Sequence, residues 1–217
     1  MSALVAPPAQ GELARQLAKG AAELGLELGP ETRSKLIAHL ELLDKWTRVH
    51  NLTSIRDKGR SVSVHLLDSL AVVPHLPGGR MLDAGSGAGF PGIPVALAMP
   101  AAQVDLLDSN HKKCAFLRQA IAEIGLKNAK VVCERLESWH PAWQYDCILA
   151  RALAEIAEVV ALCAHLLAPG GVIAAMKGIH PFEEIERIPP EFRVRRVHAL
   201  AVPGLAAERH LVLIERA

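Results

Sequence analysis

The chain has 217 residues, half of them apolar, and a formal net charge of +1. This length allows one sizeable hydrophobic core, and the near-neutral charge argues against strong nonspecific binding to polyanions, so an RNA site would have to be a local patch. No apolar run approaches the roughly 18 residues of a membrane span, and the first ten residues carry no charge. We therefore expect a cytoplasmic protein that does not associate with membranes.

The first third of the chain is predicted to be helical. Apolar residues recur at helical spacing from Leu13 to Leu24 and from Leu36 to Trp46, and Gly29-Pro30 precedes the second helix, which should end near His50. A polar loop follows at 51–60, and Val62 to Val73 predicts a third helix.

From Arg80 onward the pattern alternates between strand and helix, which predicts an α/β fold with a mostly parallel sheet. Strands are expected near 80–83, 104–108, 130–133, 145–150 and 171–176. Phe192 to Val197 and Leu211 to Ile214 predict an antiparallel hairpin that closes the sheet. We expect residues 1–60 to be a helical extension and 61–217 to be the main domain, within one compact unit.

Four cysteines, at positions 114, 133, 147 and 163, are too widely spaced for a C-x-x-C metal pair and lie in apolar surroundings. We expect buried, reduced thiols and no metal site.

A glycine-rich turn follows the first strand. Asp83 precedes Gly85, Gly87 and Gly89, a pattern typical of a tight turn where a ligand contacts bare backbone. The segment 87–92 also fits the dinucleotide fingerprint G-x-G-x-x-G. A carboxylate directly before the turn would repel a pyrophosphate, yet it suits the ammonium and sulfonium groups of S-adenosylmethionine, so the methyl donor is the favoured ligand.

Other candidate site residues follow later strands, at the sheet edge where ligands collect. Asp108 lies about 20 residues past the glycines, where it would bind ribose hydroxyls. Leu136 and Glu137 are placed to cover and hydrogen-bond an adenine, although a carboxylate at a helix start is an equal alternative. Arg151 ends a buried strand and needs an anion, either a ligand group or a structural partner such as Asp108 or Asp83.

The absence of two motifs limits the methylation reactions that the chain could catalyse. The strand that ends at Arg151 lacks the Asn/Asp-Pro-Pro-aromatic sequence used to methylate exocyclic amines, and no Pro-Cys nucleophile is present. Guanine N7 needs neither, because its lone pair can attack a methyl group directly. Catalysis would then rest on alignment, without a general base.

The whole set of motifs resembles the bacterial small-subunit rRNA methyltransferase G family, also called glucose-inhibited division protein B. The segments that carry the resemblance are NLTS (51–54), HLLDS (65–69), DAGSGAGFPGIP (83–94), LDS (107–109) with KK (112–113), ARA (150–152), MKG (176–178) and ERHL (208–211). The resemblance implies a class I S-adenosylmethionine-dependent methyltransferase with a Rossmann-like fold. It also implies methylation of N7 of guanine 527 in the 530 loop of 16S rRNA.

Carried onto this chain, the resemblance assigns the cofactor to Gly85, Phe90, Leu136, Glu137 and Arg151, with Asp108 on the ribose. Together with Asp83, Gly87 and Gly89 of the turn, these are the nine predicted cofactor residues. The resemblance also implies RNA-binding roles for Asn51, Arg56, His65, Lys177 and Arg209, although a structural histidine is the better interpretation of His65. Thr47 departs from the family, which commonly has Asn there. The expected partner is 16S rRNA or the small ribosomal subunit, and the protein is expected to be a monomer.

Two other classes stay open. One is an NAD(P)-dependent oxidoreductase, which the fit of residues 87–92 to the dinucleotide fingerprint permits. The other is a nucleotide-binding module without turnover.

Overall fold

The computed structural model describes residues 8–50 and 58–217. The α-helices are α1 (Pro8–Glu23), α2 (Pro30–His50), α3 (Lys58–Ser61), α4 (Asp68–Leu70), α5 (Gly92–Ala98), α6 (His111–Ile124), α7 (Ile156–Cys163) and α8 (Phe182–Glu186). A π-helical segment, Val62–Leu67, joins α3 to α4, and short 3-10 turns lie at Val73–His75, Leu136–Ser138 and Ala164–Leu166. None of the helices in the described ranges has the length and apolar character needed to cross a membrane.

Seven strands form one mixed sheet: β1 (Arg80–Ala84), β2 (Gln103–Leu107), β3 (Ala129–Val132), β4 (Tyr145–Arg151), β5 (Leu167–Lys177), β6 (Phe192–Ala199) and β7 (His210–Arg216). Their order is β3-β2-β1-β4-β5-β7-β6. The first five are parallel, whereas β7 pairs antiparallel with both β5 and β6. The predicted parallel sheet and C-terminal hairpin are confirmed. The order reverses between β1 and β4, which is where ligands of such sheets bind.

The core has two parts because side chains alternate between the faces of each strand. One face packs against the N-terminal helices and α5 and α6, and it includes Leu17, Leu36, Ile93 and Phe116. The other packs against α7 and includes Ile148. The N-terminal helices therefore share a core with the sheet, and the proposed division at residue 60 stays a prediction.

The third predicted helix differs from expectation. The segment 62–73 is helical, but its first part is a π-helix in which the backbone N–H of Asp68 bonds to the carbonyl of Ser63, five residues earlier. The Ser69 hydroxyl also donates to the His65 carbonyl at 2.6 Å. The wider turn directs His65 and Asp68 toward the end of β4, where both contact Arg151. π-turns of this kind are frequent at functional sites.

The four cysteines are free thiols. Cys114, Cys147 and Cys163 are buried as predicted, but Cys133 is partly exposed. It follows β3, which is the edge strand of the sheet, so no further strand covers it. The expectation of burial was wrong at this position for that reason.

Candidate cofactor and substrate site

The glycine turn connects β1 to α5 and faces an open space. Gly87 has a φ of 58°, in the left-handed region that favours glycine. A Cβ built on Gly87 would meet only the Gly85 carbonyl oxygen, at 3.8 Å. The backbone is therefore bare at this position, as the sequence predicts for contact with a ligand.

Asp83 supports the turn from below. Its Oδ2 accepts a hydrogen bond from the Gly92 N–H at 3.0 Å, and its carbonyl accepts one from the Ser86 hydroxyl at 2.9 Å. The side chain is 1% exposed, and its Oδ1 has no hydrogen-bond partner. Burial raises the pKa of Asp83 to about 6, and the hydrogen bond from the Gly92 N–H opposes that shift. This carboxylate lies in the interior, where it ties the start of α5 to β1.

Asp108 lies directly after β2, and both of its oxygens are engaged. Oδ2 accepts from the Gly87 N–H at 3.0 Å, and Oδ1 accepts from the Asn110 N–H at 2.8 Å. The ammonium of Lys113 is 3.6 Å from Oδ2. Each carboxylate oxygen has two lone pairs, so Asp108 retains acceptor capacity for a ribose hydroxyl.

A cavity of about 290 Å³, which we call the cofactor cavity, lies above these strand ends. Among the residues that line it are Gly85, Asp108, Leu136, Glu137 and Leu153. Leu136 is buried, whereas the Glu137 side chain is about half exposed and lies 3.7 Å from Arg135. Four of the nine predicted cofactor residues thus line one cavity, and Gly87 is hydrogen-bonded to one of them.

Gly89 and Phe90 lie beneath the turn. A Cβ on Gly89 would clash with Ile93 and come within 3.2 Å of Leu117, so this glycine permits close packing. The Phe90 ring is stacked between His39 and His65, with both centroid distances 4.7 Å. In this structure neither residue lines the cofactor cavity.

Arg151 forms a salt bridge with Asp68 and not with Asp108 or Asp83, the two structural partners that the sequence suggested, although the charge of Asp83 acts on it from farther away. Nη1 of Arg151 lies 3.2 Å from Asp68 Oδ2, and Nη2 lies 3.5 Å from His65 Nδ1. Burial lowers the pKa of the Arg151 guanidinium, and the charges of Asp68 and Asp83 oppose that shift. Burial and the neighbouring Arg151 charge lower the pKa of His65 to about 4, so this ring is neutral at pH 7.

A second cavity, of about 380 Å³, adjoins the first. We call it the cationic cavity, because its lining includes Arg151, Lys177 and Arg209 along with Asp68. Lys177 donates to the Ala154 carbonyl at 2.9 Å and to Glu184 at 2.5 Å. Arg209 donates to Asp68 at 2.8 Å.

Ala152 lines both cavities. Its φ of 49° is unusual for a residue other than glycine, and such conformations persist where the surrounding structure imposes them, often at active sites. The chain thus places a cavity that contains a ribose acceptor, and that is lined by charges of both signs, beside a cavity lined by three cations and one carboxylate.

The remaining predicted residues fall elsewhere. Asn51 and Arg56 lie outside the described residues. His65 is 7% exposed and lies behind Arg151. Thr47 is 2% exposed in the core and lines neither cavity. Sequence reasoning missed Asp68 as a site residue, although a carboxylate three positions after His65 on a predicted helix was an available signal.

The cofactor cavity fits S-adenosylmethionine. The position facing Gly87 is space that a side chain would fill, Asp108 supplies an acceptor for ribose hydroxyls, and buried Leu136 supplies an apolar contact for adenine. Two of these features match the ribose and the adenine of this molecule, and the open space at Gly87 leaves room for the rest of it.

Comparisons with known proteins agree with this arrangement. The family model for rRNA small subunit methyltransferase G matches residues 32–212. Proteins of that name from Laribacter hongkongensis and Aromatoleum aromaticum are 52% and 53% identical to this chain over 200 and 208 residues. The alignments cover 92% and 94% of this chain, and 97% and 99% of the relatives.

The fold also matches solved methyltransferase structures. The ribosomal protein L11 methylase of Lactobacillus delbrueckii subsp. bulgaricus superposes with a TM-score of 0.54 and 17% identity, covering 69% of this chain and 76% of that one. The predicted class I methyltransferase fold is confirmed.

Proposed function

Because the chain belongs to the rRNA small subunit methyltransferase G family, we propose that it methylates N7 of guanine 527 in the 530 loop of 16S rRNA. S-adenosylmethionine is the cofactor of this family and fold, and it supplies the methyl group as an electrophile. The observation that carries the proposal is the contact between the cofactor cavity and the cationic cavity at Ala152. The oxidoreductase alternative is not retained, because the family consists of methyltransferases.

The chain's residues would hold the cofactor through its nucleoside. We propose that Asp108 accepts hydrogen bonds from the ribose, that Leu136 covers the adenine, and that Glu137 accepts a hydrogen bond from the adenine amino group. The open space at Gly87 leaves room for the remainder, and Gly85 lines the cofactor cavity. Asp83 and Phe90 act indirectly, by supporting the turn.

On the substrate side, we propose that the cationic cavity receives the guanine and a neighbouring phosphate. Arg and Lys side chains pair well with guanine O6 and with phosphates. Methyl transfer moves positive charge onto guanine, so an isolated guanidinium nearby would disfavour it. Asp68 compensates Arg151, which can then position the base or the donor carboxylate without opposing the reaction.

No proton has to leave N7 before the transfer, so the chain needs alignment and not a general base. We propose that Lys177 and Arg209 position the RNA and that His65 supports Arg151. The substrate is the rRNA or the small subunit, including an assembly intermediate, and the active protein is a monomer.

The test is to map the methylated nucleotide. Purified protein and radiolabelled S-adenosylmethionine are incubated with small subunits from a strain without this modification, and with protein-free 16S rRNA. Mass spectrometry of nuclease fragments then locates the methyl group and identifies 7-methylguanine. A label on another nucleotide or atom would refute the assignment, and donor binding without transfer to either RNA would support a non-catalytic module instead.

A further inference from the structure

Large apolar side chains are exposed at one edge of the sheet. Among the described residues, those at least 36% exposed are Leu153, Ile179 and Phe182. Leu153 follows β4 and lines the cofactor cavity. Ile179 and Phe182 follow β5 and are 80% and 68% exposed. All three therefore follow the C-terminal ends of the two strands that border the cavities.

Aromatic rings hold the segment after β5 in place. The His180 ring stacks on the Phe182 ring with a centroid distance of 3.7 Å and an angle of 27°. His180 also meets His210 edge to face at 5.1 Å, and His210 Nδ1 lies 2.8 Å from the Gly178 carbonyl oxygen. Phe182 thus presents one ring face to His180 while most of its surface remains open.

The helix that carries Phe182 is anchored to the substrate side. Glu184 of α8 accepts hydrogen bonds from the Lys177 ammonium and from the Ile156 N–H at 2.8 Å. Gly178, one residue before Ile179, lines the cationic cavity. The chain therefore runs from the cavity that contains Arg151, Lys177 and Arg209 directly into the exposed pair.

We propose that Ile179 and Phe182 form a stacking platform for an unpaired RNA base that flanks the target nucleotide. The proposal rests on the proposed function, because it requires an RNA substrate in the cationic cavity. Proteins recognise unpaired bases by stacking them on aromatic side chains beside cations that contact the backbone. A platform of two side chains matches the area of one base, whereas a stable protein interface needs about 800 Å² on each partner.

The experiment compares three variants in binding to small subunits and to protein-free 16S rRNA. Phe182→Leu retains apolar area but removes the aromatic face, whereas Phe182→Tyr retains the face. Glu186→Gln, an exposed change in the same helix, is the control. We expect Phe182→Leu to weaken RNA binding, by no more than the roughly 5- to 150-fold that truncation of a stacked aromatic to alanine costs. The other two variants should bind within about twofold of the parent protein, and donor affinity should be unchanged in all three. Ultraviolet irradiation of the bound complex should attach a peptide containing Phe182 to a nucleotide.

Equal binding by Phe182→Leu and the parent protein would overturn the proposal. So would attachment of the peptide to a ribosomal protein, because the surface would then bind protein. Because these readouts measure RNA contact, they decide the proposal separately from the position of the methyl group, which tests the proposed function.

Discussion

The carboxylate of Asp68 bridges Arg151 and a second guanidinium. Its Oδ2 lies 3.2 Å from Nη1 of Arg151, and its Oδ1 accepts a hydrogen bond from Nε of Arg209 at 2.8 Å. Asp68 is 3% exposed, so water screens these interactions little. One carboxylate thereby fixes two cations that come from distant parts of the chain.

We expect Asp68→Asn to destabilise the fold and to slow methyl transfer. Loss of one partner leaves buried charge uncompensated, which typically costs about 3–5 kcal/mol. Urea denaturation measures that cost. Single-turnover methyl transfer measures the rate. The double variant Asp68→Asn with Arg209→Gln should lose less stability than the sum of the two single losses, because both changes remove the same interaction.

Asp44→Asn is a matched control, because Asp44 pairs with Arg48 at 2.9 Å on the surface of α2. Exposed pairs of this kind contribute less than about 1 kcal/mol. If the two Asp→Asn variants lose similar stability, the bridge formed by Asp68 contributes no more to the free energy of unfolding than an exposed pair does.

Asp108→Ala should weaken donor binding more than RNA binding. The change removes the predicted ribose acceptor and also the acceptor of the Gly87 N–H. A lost hydrogen bond to a charged group corresponds to about 1.5–3 kcal/mol, or roughly 10- to 150-fold in affinity. Calorimetry measures donor binding, with Glu123→Ala on an exposed part of α6 as the control for lost charge. Unchanged donor affinity would remove Asp108 from the site.

Gly87→Val should abolish donor binding and leave the sheet intact. The side chain would occupy the open space in front of the turn. Gly170→Val is a matched control, because Gly170 also has a positive φ, 76°, and has open space around it, but it lies in β5, outside the turn between β1 and α5. Both variants should lose stability from backbone strain, and only Gly87→Val should lose donor binding by calorimetry. Retained binding in that variant would place the cofactor elsewhere.

Much of the fold was predictable because its signals are local. Alternating strands and helices require a parallel sheet, and parallel strands bring Gly85, Asp108 and Leu136 to one edge. Their convergence on the cofactor cavity follows from that topology.

The partner of Arg151 was not predictable in the same way. Asp83 and Asp108 were reasonable candidates, because they end neighbouring strands. The π-turn determines the partner instead, since it directs Asp68 from a separate helix toward β4. No local pattern of residues predicts the extra residue in that turn. The interior position of Asp83 likewise depends on the hydrogen bond to Gly92, nine residues later.

Stability should fall as the pH decreases from 6.5 to about 4. Burial lowers the pKa of both His39 and His65 to about 4, so across this range the unfolded chain binds protons at these rings that the folded chain does not. Asp83 acts in the opposite direction between about 6 and its ordinary value of 3.8, because its pKa is raised in the fold. The two histidines change the free energy of unfolding more than the one carboxylate does, so acid favours unfolding.

His39→Gln should make this dependence shallower. The change removes one titrating group and retains a donor for the Ala88 carbonyl, which His39 Nε2 contacts at 2.9 Å. The slope of the free energy of unfolding should decrease by up to about 1.4 kcal/mol per pH unit. Urea denaturation at several pH values measures it, and an unchanged slope would contradict the buried neutral state of His39.

The chemical step should not depend on a base. The N7 lone pair is free at neutral pH, and Arg151 and Lys177 are paired with Asp68 and Glu184. Single-turnover methyl transfer at saturating donor and RNA should therefore be level from pH 7 to 9. Below pH 7, the pKa of Asp83, about 6, predicts a modest change that Asp83→Asn would remove, because protonation of that carboxylate alters the support of the turn. A steep rise in rate above pH 7 that disappears on substitution of Asp83, Glu137, Arg151 or Lys177 would reveal a general base, and would transfer the target from N7 to an amine or a hydroxyl.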